Sequence, residues 1–482
     1  MSFYDDASLV FLPSGQAGKD GKAYSMKPTD GSGDFTFSRG SNLTATRIDS
    51  NGLIAKGREN LFLNSDTPAT QSITITNGGV YVLSFLGTGS VVASGGASFT
   101  LNGTGEFDRV ENYFVSSSTS VTLTISGTIS EPQLELGLAA TEYILSGASS
   151  GKAGILEHSP RFDYGGGASC ASLILEGSRT NLIEYSEYFE GSGWTAQAGI
   201  TLTANTTETL SPEGLNNAYK VVSTDATKGF YFSGLSITNA AVRTIYLKGS
   251  VGGETIVFKD PSGFGTPSTK TLTTDWQRFE MATTNDGNTY QGLFIDDISV
   301  GTIYAYGAQL EEGSYPTSYI PNHSGGSVTR DADVNTLLNQ SGVIGQTAGT
   351  ILFDAYFDEA EKVNFSISDS SVSNFISIET TSSNEVTAKV EQGGSTQATI
   401  TTTTSFFAEG DRLKCAIAYD DRDMAFYING TQVNTAAPNL IPACDDVRFG
   451  NYDGSIKADQ RVNRVLLFDT RISNGNLATL TS

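Results

Sequence analysis

Two stretches of the chain carry the same pair of end signatures, and this duplication limits the fold more than any other feature. RENLFLNSD begins at Arg58 and RTNLIEYSEYF begins at Arg179; both read Arg-x-Asn-Leu with a serine shortly after. Downstream, EPQLELGLAATEYI (Glu131 to Ile144) matches GAQLEEGSYPTSYI (Gly307 to Ile320). The shared pattern is Gln-Leu-Glu-x-Gly, a spacer, then Thr-x-Tyr-Ile. Two copies that agree at both ends and differ between them imply one sandwich present twice. Its first and last strands are expected to be neighbours, as in a jelly roll. The first copy is much the shorter, so it reads as a trimmed version.

The texture around these signatures is all-β. Short β-branched or aromatic runs broken by Gly, Asn, Asp and Ser recur throughout, and long stripes at helical spacing are nearly absent. A chain of 482 residues has room for about three domains, each able to bury a core. The expected organisation is an extended N-terminal arm (1–57), a short jelly-roll sandwich (58–148), a linker (149–178), a longer jelly roll (179–325) and a third sandwich (340–482). In the arm, Phe35 and Phe37 alternate as a strand does, and Asn51-Gly52 is a hairpin turn. The arm looks too small to fold alone, which predicts that Phe11, Phe35, Phe37 and Arg39 anchor it to a partner. NGNLATLT at the end is the one helical candidate.

Charge excludes several functions. There are 52 acidic against 29 basic residues, a net charge of −23, and no basic cluster of the kind a nucleic-acid groove needs. The same charge disfavours an anionic membrane, and no run of apolar residues is long enough to span one. The N-terminal MSFYDDASLV lacks the features of a signal peptide. Cys170, Cys415 and Cys444 cannot all pair within the chain and form no CxxC motif; reduced, buried thiols are expected, as in a chain made in a reducing cytoplasm.

The third unit resembles the concanavalin A-like, laminin-G-like sandwiches, carried by KCAIAYDDRDMAFYINGTQV from Lys414 to Val433 and by VRFGNYDGSIKADQRVNRVLLFDTRIS after it. Asn429-Gly430 is also simply a good type I′ turn. The second copy is similar to jelly-roll carbohydrate-binding modules, through Phe189 to Trp194, SPEGLNNAYKVV and TLTTDWQRFE. DFTFSRGSNLTATRIDSNGLI together with LILEGSRTNLIEYSEYF resembles bacteriophage virion proteins of tails, fibres and head decorations. That resemblance implies a virion protein made in the bacterial host cytoplasm. Its partners would be other virion proteins (capsid, portal or tail), and it would assemble as a homotrimer. Attachment to host-surface glycans would be its task.

Sugars are held by aromatic rings stacked on pyranose faces with polar groups at the rim. The candidates are Trp194, Tyr231, Phe264, Trp276 and Tyr290; for the two tryptophans, packing within the sandwich is the competing reading. No catalytic residue is expected. The Glu-x-Asp-x-x-Glu strand of concanavalin-like glycanases does not occur in the third unit, and Asp358/Glu359 and Asp420/Asp421 read as solvated turn residues. His158 and His323 both fall in linkers, too far apart for a triad or a zinc site. No cofactor is implied; calcium is the one candidate metal, through Asp296 and Asp297. Two alternatives stay open: a purely structural capsid or tail adaptor, and a polysaccharide depolymerase.

Overall fold

The computed structural model describes residues 3–15, 18–19, 21–40, 43–237, 239–259, 267–283, 291–454 and 459–482. Antiparallel sheets dominate it, as the alternation predicts, and they stack into three sandwiches. The closing helix, Asn474–Thr481, forms behind a Ser473 cap. No helix among the described residues is long and apolar enough to cross a membrane.

The two duplicated sandwiches differ in strand number, which accounts for their lengths. The first packs a four-stranded sheet on a three-stranded one around Phe62, Leu83, Phe85, Val121 and Leu134. The second packs two five-stranded sheets around Trp194, Tyr219, Ile245, Ile256 and Leu293. Their common signatures prove to be the same set of bolts. In the first copy the Asn60 amide donates to Pro132 O and Ile144 O, and its Oδ1 accepts from Phe62 N and Leu134 N. In the second, Asn181 makes the same four bonds, to Ala308 O, Ile320 O, Ile183 N and Leu310 N. Gln133 and Gln309 each take the following isoleucine N–H at 2.7 Å. Glu135 and Glu311 accept from the backbone and hydroxyl of Thr141 and Thr317. Tyr143 bonds Ser65 and Tyr319 bonds Ser186. First strand, last strand and tail are thus tied side by side, as the repeat implies. These buried polar side chains satisfy one another rather than a ligand.

The third sandwich departs from expectation. Its two sheets draw strands from three remote parts of the chain. Leu9–Phe11 pairs with the long strand Gln460–Phe468, and Ser172–Leu175 pairs with the beginning of that same strand. Phe35–Ser38 pairs with Val334–Leu337 in the opposite sheet. Phe11, Phe35 and Phe37 are therefore core residues, at most 1% exposed, packed with Phe353, Phe365 and Phe449. They are not free to anchor the chain to a partner: alternation places Phe35 and Phe37 on one strand face, and that face meets the sandwich interior. The segment 149–178 is likewise no mere linker, since Arg161–Asp163 and Ser172–Leu175 extend one large sheet. Asn429 and Gly430 both have positive φ and close the Ile428–Thr431 hairpin as a type I′ turn.

The first sandwich enters this scaffold as an insertion. The Asn51-Gly52 turn closes Thr46–Ile48 onto Ile54–Asn60. Ile54–Asn60 then runs outward, and Gly151–Gly154 returns beside it, Gly151 opposite Asn60. Lys56 on this neck is buried between Glu187 and Glu213, and Arg58 Nη2 lies 2.9 Å from Glu213. These pairs dock the neck on the second sandwich.

A second charged cluster closes the third sandwich. Arg39 meets Asp333 at 3.0 Å; Arg161 meets Asp333 as well and Glu176 at 2.7 Å; Arg330 meets Glu176 at 2.8 Å. All five side chains are essentially buried. Burial pushes the Glu176 carboxyl up, but Arg330 and Arg161 outweigh it and hold it far below the usual range. Arg39, the remaining residue assigned to anchoring, is thus spent inside the fold.

Removing one partner from such a cluster leaves buried charge uncompensated. Asp333→Ala is expected to cost about 3–5 kcal/mol, read as a fall in the urea midpoint. Glu176 has a depressed folded pKa, so its contribution is complete above the ordinary carboxylate pKa and is lost as pH falls below it. Asn60→Ala exposes no core but orphans several buried backbone groups, costing about 1–3 kcal/mol. Amide exchange should then quicken across 61–146, with the protection of 340–482 unchanged.

Candidate functional site

A polar concavity lies where the second sandwich meets the third, a cleft of about 520 Å³. Strand periodicity builds its first wall. On Ala241–Gly249, Ile245 and Leu247 point into the core while Tyr246 points out. On the neighbouring Gln277–Thr283, Phe279 and Met281 pack inward, leaving Arg278 and Glu280 on the outer face. Arg278 sits opposite Tyr246 in register and lies over its ring at 5.7 Å. Tyr246 also meets Tyr319 edge-on, with centroids 6.2 Å apart.

The facing wall comes from strand ends of the third sandwich. Asp358 follows the strand Gly349–Phe357, Glu409 precedes Asp411–Asp420, and Asp459, Gln460 and Arg461 open Gln460–Phe468. Tyr315, in the tail of the duplicated signature, bridges the two walls, its hydroxyl donating to Asp459 Oδ2 at 2.6 Å.

The electrostatics are unusual for a surface. Burial lifts the Asp358 carboxyl to about 6; Arg461, 3.9 Å away, opposes this, and Glu176, Asp459 and Glu359 add to it. Glu409 is raised by burial, then by Asp358, Glu280 and Glu359. Asp459 is raised by burial and by Glu176 and Glu359, against the Tyr315 bond. Asp358 was expected to be a solvated turn residue. Its turn instead faces another sandwich, a tertiary fact invisible in the local sequence.

The sugar-binding candidates are dispersed. Trp194 is a core residue: it packs on Phe189 at 4.7 Å, and its Nε1 donates to Glu184 O and Tyr185 O. Its short strand turns the indole inward, so it offers no face to a ligand. Trp276 is partly buried beside Tyr306 and Tyr319, its Nε1 on Leu210 O at 2.9 Å. Tyr231 lies on the outer face of the other sheet, stacked on Phe294 with centroids 4.2 Å apart and planes 7° apart. Phe264 and Tyr290 lie outside the described residues. The residues that meet in the cleft, Tyr246, Tyr315, Arg278 and Glu280, were not singled out. The one available signal for Tyr246 and Arg278 was their outward phase on strands.

Other candidates resolve plainly. Asp296 pairs with Lys259, and Asp297 is exposed. No cluster of three or more acidic, His or Cys side chains suited to a metal exists among the described residues. Cys415 and Cys444 are buried and unpaired, while Cys170 is exposed, contrary to expectation, because its loop flanks an edge strand. His323 is largely buried, and desolvation lowers it to about 4 despite Glu187. A second cavity, of about 230 Å³, adjoins Lys56, Arg58 and His323. There burial takes Lys56 down to about 7, while Lys56 holds Glu187 low against burial. Those charges are already paired, as befits docking.

Fold and cleft together define an all-β protein of tandem sandwiches with a polar cleft between two of them. No family model matches the chain, and no curated protein matches it. Among solved structures it is similar to the CBM40 of the Ruminococcus gnavus IT-sialidase bound to α2,3-sialyllactose. Identity is 14% and the TM-score 0.26, over 30% of this chain and 86% of that one. The NanB sialidase of Streptococcus pneumoniae is 19% identical with a TM-score of 0.25, over 29% of this chain and 24% of that one. A heptameric SAP-like pentraxin from Limulus polyphemus is 17% identical with a TM-score of 0.23, over 28% and 70%. Overlap this small carries nothing about the ligand of this chain.

A carboxyl raised by burial destabilises the fold once ionised. For Asp358 the favourable contribution is complete below the ordinary aspartate pKa and lost as pH rises through about 6. Asp358→Asn should therefore raise stability at neutral pH, on the order of 2 kcal/mol. That gain should shrink in a melting series taken at progressively lower pH.

Proposed function

We propose that the chain is a non-enzymatic attachment protein of a bacteriophage particle, holding saccharides of the host surface in the cleft between its second and third sandwiches. The observation that carries the saccharide reading is the cleft itself. It is concave and polar, with an outward tyrosine on one wall and charged groups on both, the combination that grips a polyhydroxylated ring. The virion reading rests on the paired sequence signatures around Phe35 and Leu173. In this reading the chain is made in the host cytoplasm and assembles as a homotrimer with other virion proteins. Single-site affinity is modest, and repeated copies supply avidity. Attachment to the particle runs through folded surface, because Leu9–Phe11 and Phe35–Ser38 are committed to the third sandwich.

One observation favours a second location for the sugar. The Tyr231–Phe294 pair is partly exposed, with Thr195 and Lys259 in register on either side. A flat platform of this kind suits an extended chain.

Arrays of bacterial surface polysaccharides probed with the full chain test both. Binding to at least one saccharide is expected, weakened about tenfold by Tyr246→Ala, equivalent to about 1.4 kcal/mol, and unaffected by Tyr231→Ala. The reverse pattern moves the site to the platform. Absence of binding sinks the saccharide reading and leaves a structural adaptor, and release of reducing ends from a bound polymer makes the chain a depolymerase.

A further inference from the structure

Away from the cleft, the outer face of the third sandwich concentrates positive charge in a chain whose net charge is −23. Strand periodicity sets this up. On Gly349–Phe357, Phe353, Ala355 and Phe357 enter the core, so Asp354 and Tyr356 point out. In register, Asp354 lies between Lys414 and Arg464, and Tyr356 lies between Arg412 and Arg461. Cross-strand neighbours stand about 4.5–5.5 Å apart, so four cations and one carboxylate share a patch of six residues. All but Arg461 floor a groove of about 640 Å³. Its walls are the short helix Phe3–Asp6, the closing helix and the loop that carries Cys170. Asp354 is the one acidic side chain among the described residues that line it.

The groove has donors to spare. Asp354 serves two guanidinium groups, Arg412 at 2.8 and 2.9 Å and Arg464 at 3.5 Å. Lys414 donates to Ser482 O, and an ammonium has three N–H groups to give. Two buried polar atoms along the groove lack a partner, Asn463 Nδ2 and Arg464 Nε, and both are donors. Ser172 Oγ, 2.6 Å from Asn463 Oδ1, fixes the orientation of that amide. The donors also stand singly. Arg412 spends its fork on Asp354, and Arg464 divides its terminal nitrogens between Tyr4 Oη and Leu480 O. A planar carboxylate is best recognised by a free fork. Separate donors suit the several oxygens of a phosphate. Beside them Tyr4, 42% exposed, offers a ring.

We infer that this groove is a second saccharide site, one that takes a phosphorylated sugar. The phosphate lies among Arg412, Lys414 and Arg464, and the sugar ring lies against Tyr4. Screening lets such a site work in an acidic protein. At physiological salt a charge is felt over about 8 Å, so the phosphate meets the groove and not the remote carboxylates. The tyrosine holds the C–H face of the ring. A neutral sugar leaves the surplus donors unmatched, and a free phosphate leaves Tyr4 bare. The site is separate from the cleft and does not depend on what the cleft binds.

Glucose 6-phosphate, glucose, glucuronate and inorganic phosphate, each titrated calorimetrically into the full chain, test the inference. Glucose 6-phosphate should bind at least tenfold more tightly than each of the others. Cys170 is an exposed thiol in the groove wall, while Cys415 and Cys444 are buried. Its alkylation by iodoacetamide should therefore slow when glucose 6-phosphate is bound. Arg412→Gln and Tyr4→Ala should each weaken binding about tenfold, and Arg422→Gln, in an exposed turn, should leave it intact. If Arg412→Gln fails to fold, Lys414→Gln, which strands no carboxylate, carries the same expectation. Inorganic phosphate binding as tightly as the sugar phosphate makes the groove a general anion site and overturns the inference. Equal binding of glucuronate overturns the choice of phosphate. No binding, or binding that leaves the labelling of Cys170 unchanged, overturns the site itself.

Discussion

The third sandwich depends on a knot of buried charge where it meets the second. Arg39, Arg161, Arg330, Glu176 and Asp333 come from four places in the sequence, and none reaches solvent to any useful extent. Taking such groups out of water costs several kcal/mol per ion. Acceptors offset much of the cost, and backbone carbonyls add to the carboxylates: Arg39 reaches Leu156 O, Arg161 reaches Thr46 O, and Arg330 reaches Gly177 O, while the three Nε–H groups find no acceptor among the described residues. An apolar core could stabilise as much without specifying which segments meet. The charged knot specifies them, because any wrong strand leaves an arginine or a carboxylate alone.

That specificity governs the cleft as well. Glu176 belongs both to the knot and to the cleft lining, and Ser318, which donates to Glu176, sits in the tail that carries Tyr315 and Tyr319. The two sandwiches are therefore set against each other by the same side chains that order the sheets. Tyr315, bonded to Asp459 across the boundary, adds a further fixed point. The carboxylates that face each other there cannot relax apart without breaking these bonds, which explains how raised pKa values persist at a boundary open to water.

Much of this was legible in the chain. Strands, turns and the closing helix followed from alternation and caps, and the duplicated Asn, Gln-x-Glu and Thr-x-Tyr-Ile residues announced strands that must be neighbours. What stayed hidden was partnership over distance. Leu9–Phe11 is three residues long, and its partner lies more than four hundred positions away, so local pattern shows a strand and not its sheet. Phe35 and Phe37 gave the right periodicity, but periodicity does not say whose core receives the buried face. Arg39 was assigned to a partner because its counter-ion, Asp333, is remote in sequence. Asp358 followed the same rule: a turn is solvated unless another domain covers it, and Tyr315, which lines the same cleft, lies in a different sandwich. Trp194 shows the converse, a ring prominent in the sequence that the core consumes.

The neck has a consequence of its own. Its outgoing and returning strands stand side by side, with Gly151 opposite Asn60 and Gly154 opposite Gly57, so the inserted sandwich begins and ends about one strand spacing apart, roughly 4.8 Å. A gap that small is closed by an ordinary tight turn. At the level of the gene, the small sandwich is a cassette. Recombination at the neck can delete it, or replace it with another sandwich whose ends meet in the same way, without disturbing the strand order of the scaffold beneath.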